Sequence, residues 1–132
     1  MSEVRFLSPE TMHRNPAYSQ AVVIPVGRSI VVVGGQNAVD RDGKIVGKDI
    51  AAQTTQALDN LEKALAAAGC GLRDIVKVSI HILAGQDIRA GFGAWAAKAK
   101  GIPHPPAVTG IFVSALAHPD FLVEIEALAV VP

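Results

Sequence analysis

The stretch from about Ile50 to Ala68 limits the possible folds more than any other part of the chain. Asp49 stands where a helix N-cap is preferred, and Gly69 stands where a helix commonly stops. Ile50, Ala57, Leu58, Leu61, Ala64, Leu65 and Ala68 fall on one apolar stripe at helical spacing. Gln53, Gln56, Asn60, Glu62 and Lys63 occupy much of the remaining surface. A helix of this kind owes most of its stability to the surface its stripe covers. The next segment offers that surface. Ile75 to Leu83 alternates, with Val76, Val78, Ile80 and Ile82 on one face and Lys77, Ser79 and His81 on the other.

Further elements follow from local signals. AVVIPV (21–26) and SIVVVGG (29–35) are β-branched runs separated by Gly27 and Arg28, which predicts a hairpin. Pro25 confines its strand to an edge or a bulge. Asp40 to Gly43, reading DRDG, predicts a turn before a short strand around Ile45. The first dozen residues read as an irregular arm, with Pro9 and Pro16 as breakers. A second helix is expected from about Asp87 to Lys100, stopped by Gly101 and Pro103. Strands are expected near Thr109 to Leu116 and Leu122 to Val131. The order β-β-β-α-β-α-β-β predicts an α+β fold, a single sheet with two helices packed on one face. Without repeats, low-complexity tracts or linker-like stretches, residues 1–132 read as one domain.

Composition asks what covers the other sheet face. Half the residues are hydrophobic and only 18% are charged, against about a quarter in ordinary soluble domains. The apolar runs fall far short of the ~20 residues a membrane-spanning helix needs, so no membrane association is expected. The surplus therefore predicts self-association through an aliphatic surface. Twelve basic and twelve acidic residues cancel, which argues against an electrostatically driven nucleic-acid binder. The N-terminus lacks a basic-then-apolar signal pattern, and a single Cys70 suits a reducing compartment, so a cytoplasmic location is expected.

Few motifs carry chemistry. Glu124 and Glu126 project from one face of the last strand, where carboxylates could be a solvated edge, ion-pair partners or a site with one raised pKa. Gly34-Gly35-Gln36 closes a buried-looking strand, and glycine there lets a ligand or a second backbone approach closely. GIPHPPA (101–107) is stiffened by three prolines. His13, His81, His104 and His118 show no metal-ligand spacing, so no metal or cofactor is expected; His81 is the most site-like of them. Cys70 reads as a small packing residue.

Several segments together resemble the YjgF/YER/RidA family, also called L-PSP or RutC-like. They are Tyr18-Ser19-Gln20, Gly35-Gln36, AAQTTQALDNLEKALAAAG, LRDIVKVSIHIL, PPAVTGIFVSAL and VEIEALAV. The resemblance implies a chorismate-mutase-like fold and a homotrimer with ligand clefts between subunits. It also implies hydrolysis of reactive 2-imino or enamino acids to keto acids and ammonia. Glu124 would orient the attacking water, and Tyr18, Gly35 and Gly110 would line the cleft. The family's arginine, which clamps the substrate carboxylate, would stand where this chain has Val108, and Arg89 is the last arginine. Its loss removes a charge-assisted pair worth roughly 1.5–3 kcal/mol. Three functions follow as expectations: an imine or enamine hydrolase using Glu124, with Val108 favouring a neutral substrate; a non-catalytic metabolite-binding trimer; and, disfavoured by the zero net charge, an endoribonuclease.

Overall fold

Two patterns build the protein: period-two strands with one aliphatic face, and a helix whose stripe covers that face. The computed structural model describes residues 3–132. Along the chain run β1 (Arg5–Leu7), β2 (Ala21–Val23), β3 (Ile30–Gln36), α1 (Ile50–Ala67), β4 (Ile75–Leu83), α2 (Ile88–Lys98), β5 (Ala107–Val113) and β6 (Val123–Val130). Asp49 caps α1 by accepting the Ala52 N–H at 2.8 Å, and Asp87 caps α2 by accepting the Arg89 N–H at 2.9 Å.

The main sheet has the order β3-β6-β4-β5. β6 runs antiparallel to both β3 and β4, while β4 and β5 are parallel. A parallel pair needs a crossover, and α2 supplies it. Both helices pack on one face of this mixed sheet, giving the expected α+β fold. The core lies under α1: Leu58, Leu61 and Leu65 have no exposed surface, and they meet Val78, Ile82, Val123, Ile125, Ala127 and Ala129. Each such leucine contributes roughly 1.5–3 kcal/mol by burial. The opposite face carries Lys77, Ser79, His81, Glu124 and Glu126 together with exposed Val32 and Ile111.

Three expectations need correction. β2 and β3 do not form a hairpin. β2 ends at Val23 and pairs with β1 in a separate two-stranded ribbon, so the expected irregular arm holds a strand. Pro25 has no N–H to extend β2, and β3 pairs instead with the longer β6. The strand near Ile45 is reduced to a single bridge with Val39. Finally, Gln53 is buried, not on the solvent side of α1. Its amide donates to the carbonyls of Gly47 and Asp120 and accepts the Leu122 N–H, so full hydrogen bonding offsets its burial. Asn60 likewise donates to the carbonyls of Asn37 and Val39.

Candidate functional site

The open sheet face brings Gly35 and Glu124 together. Val33 pairs with Ala127 but Gln36 with Ile125, so β3 spends one residue more than β6 between these pairs. The resulting bulge turns Gly35 towards Glu124. A Cβ on Gly35 would lie 2.7 Å from Glu124 Cδ and 3.0 Å from its Cγ. Only glycine leaves the carboxylate where it is. Glu124 is half-buried and stands opposite His81 of β4, close enough for cross-strand side chains to meet. His81 Nδ1 is buried and has no hydrogen-bond partner among the described residues. Among the described residues no ion pair engages Glu124. This face therefore presents a carboxylate and accessible backbone at Gly35, with a buried imidazole nitrogen on the strand opposite.

The other face holds a cavity of about 480 Å³ between α2 and the sheet. Ile50 and Thr54 of α1, Phe92 and Trp95 of α2, the inward residues of β4 and β6, and Tyr18 from the N-terminal loop line it. Val108 and Gly110 of β5 complete the wall. Tyr18 is placed by its neighbour: the Ser19 N–H and hydroxyl donate to the carbonyls of Pro106 and Pro105, at 2.9 and 2.6 Å. The rigid proline segment thus anchors the N-terminal loop beside β5. α2 has no buried residue, in keeping with a helix that rests on α1 and spans open space above the sheet. Lys98 of α2 bridges to Asp59 and to Glu62 of α1, the latter at 2.7 Å, and the two carboxylates hold its ammonium above the usual lysine range.

The residues singled out in the sequence thus fall into two groups. Tyr18, Val108 and Gly110 line the cavity; Gly35 and Glu124 lie on the opposite face, because Val108 shares its sheet face with Val78 whereas Glu124 pairs with His81. Within one chain they do not form one cleft. Neither His104 nor Thr109 stands in for an arginine at the cavity: His104 stacks on Phe6 with ring centroids 5.2 Å apart, and Thr109 accepts from Lys77 on the open face. Burial, with Asp74 adding to it, pushes the Cys70 thiol up, which suits a packing role. Among the described residues no cluster could hold a metal ion, and no helix is long and apolar enough to cross a membrane. Thr54, Gly91 and Trp95 were not anticipated as site residues. The one available signal was a hydroxyl four residues after Ile50, within the apolar stripe of α1.

A bulged glycine beside a strand carboxylate, on a sheet with two helices on its far face, defines a fold class that comparison makes specific. The chain belongs to the endoribonuclease L-PSP family, whose model matches residues 10–131. A RutC family protein from Pyrococcus horikoshii is 33% identical over 133 residues, covering 98% of each chain. A 2-iminobutanoate/2-iminopropanoate deaminase from Rattus norvegicus is 41% identical over 64 residues, 48% of this chain and 45% of that protein. Among solved structures, the Rid-family protein YyfB from Yersinia pestis, described as of unknown function, superposes with a TM-score of 0.86 at 34% identity. It spans 96% of this chain and 98% of its own. The YjgF gene product of E. coli gives a TM-score of 0.71 at 30% identity, covering 87% and 91%.

Proposed function

We propose that the protein is a small-molecule hydrolase that deaminates a reactive imine or enamine, working as a homotrimer. Support comes chiefly from the Gly35–Glu124 juxtaposition: a bulge and a missing Cβ hold a carboxylate beside accessible backbone. In this reading Glu124 takes a proton from water as the water oxygen bonds to the imine carbon. Glu124 returns that proton to nitrogen, giving a neutral carbinolamine. It then takes the carbinolamine's hydroxyl proton as the C=O bond forms and the C–N bond breaks, passes it to the departing nitrogen, and a carbonyl compound and ammonia leave. A second copy would bring its own Tyr18, Val108 and Gly110 towards this carboxylate, completing a cleft that one chain leaves divided. The 41% identity to the rat deaminase over a shared segment adds support.

Stopped-flow absorbance on 2-iminopropanoate and on a ketimine without a carboxylate tests the reading. Hydrolysis of at least the ketimine should exceed the buffer rate, and Glu124→Gln should reduce the enzymatic part by about 10²-fold or more. No acceleration of either compound rejects catalysis. A non-catalytic metabolite-binding or regulatory trimer would then stand, a reading favoured by Val108 where a clamping arginine is expected. The endoribonuclease activity in the family's name finds no support in a chain of zero net charge.

A further inference from the structure

Thr54 and Thr55 are neighbours on α1 with opposite fates. Thr55 is exposed, and its hydroxyl donates to the Ala51 carbonyl at 3.0 Å, the usual outlet for a helical threonine. Thr54 is only 4% exposed, and its Oγ1 is buried without a hydrogen-bond partner among the described residues. An unpaired buried hydroxyl is costly, and natural structures rarely leave one unanswered. Thr54 lines the cavity under α2, and its hydroxyl lies at the cavity's edge against Gly91, where an added Cβ would come within 3.2 Å of Oγ1. Glycine at 91 leaves room for that hydroxyl between the two helices.

The rest of the wall narrows the ligand's chemistry. The cavity's 480 Å³ falls within the range of small-molecule sites. Among the described residues that line it, none is charged; the polar side chains are Asn15, Tyr18 and Thr54. A carboxylate entering here would lose its hydration and find no cation to replace it. We propose that this cavity binds an uncharged, mainly hydrophobic carbonyl compound whose oxygen accepts a hydrogen bond from Thr54. The inference names a ligand class for the Tyr18–Val108 part of the functional reading above, yet it needs no turnover.

Trp95 is the only tryptophan and lines the cavity, so its emission reports occupancy directly. The probes are 4-phenylbutan-2-one and its carboxylated counterpart, 2-oxo-4-phenylbutanoate. The ketone should give a saturable change in Trp95 emission, and the keto acid should bind at least about tenfold more weakly. Thr54→Val should weaken ketone binding roughly fivefold, and Thr54→Ser, which keeps the hydroxyl, should restore it. Saturable ketone binding with no hydrolysis of either imine would keep this proposal while rejecting the proposed chemistry, which separates the two. Equal or tighter binding of the keto acid, no saturable signal from the ketone, or full ketone affinity in a folded Thr54→Val protein overturns the proposal. Should Thr54→Val fail to fold, the ketone-to-keto-acid ratio in the wild type decides alone.

Discussion

Gly35 and Glu124 show how a single missing Cβ can set the position of a functional group. In Gly35→Ala the new methyl would overlap the carboxylate end of Glu124, with Cδ 2.7 Å away. That end is flexible, so the clash is relieved by swinging the carboxylate aside and not by moving backbone. The substitution should therefore cost under about 1 kcal/mol of stability yet abolish hydrolysis as fully as Glu124→Gln. Thermal melts and ketimine kinetics on the same variant check this; a large loss of melting temperature with hydrolysis intact would reverse the assignment. At this scale the sequence was partly legible. Glu124 and Glu126 stood out together because carboxylates on an aliphatic strand demand a reason, the family resemblance alone picking out Glu124, and Gly35 stood out because it ends a β-branched run. Thr54 did not stand out, because a helical threonine normally satisfies itself on the preceding turn, as Thr55 does. Only the tertiary structure reveals that Thr54 does not.

Between the elements, the tie from α2 to α1 decides how the cavity stays open. α2 buries none of its residues, so Lys98 and its partners Asp59 and Glu62 are a main polar link holding it in place. The pairing raises the Lys98 pKa, so the folded state holds that proton more tightly than the unfolded state does. Its contribution to stability is fully present below the ordinary lysine value of about 10.4 and fades as pH rises through the raised folded value. Lys98 is 27% exposed and the carboxylates 39% and 41%, so solvent screening keeps the gain small. Lys98→Met should lose about 0.5–1 kcal/mol in urea denaturation near neutral pH, and less in ~1 M salt. A difference that persists unchanged at high salt would point to packing instead of charge. The amphipathic pattern located α1 and β4 closely because burial of one face is a local, periodic signal. Strand partners were less legible. A turn forms at Val26–Gly27, but β3 gains more ladder from β6 than the short, Pro25-limited β2 can offer. Pairing is settled by competition among distant segments, which no local window contains.

For the whole molecule, the proposed assembly would account for both the shortage of charge and the separation of Glu124 from the cavity. Only 18% of the residues are charged, and the open sheet face that carries Glu124 leaves Val32 75% exposed and Ile111 45% exposed. One chain places the Glu124 carboxylate on that face and the cavity on the other. Assembly through aliphatic surface would cover the first and set a neighbour's cavity wall against the carboxylate. Light scattering should then give three times the 13.7 kDa chain mass. Val32→Lys puts an ammonium where desolvation would have to be compensated, and should release monomers. Because Val32 touches solvent and not the core under α1, the monomer should remain folded. The two sites then respond differently. The cavity is built within one chain, so Trp95 should still report the ketone in the Val32→Lys monomer, whereas hydrolysis that needs a neighbour's residues should be lost. Retained hydrolysis in a proven monomer would mean that Glu124 works without the partner, and that the cleft between copies plays no part in the chemistry.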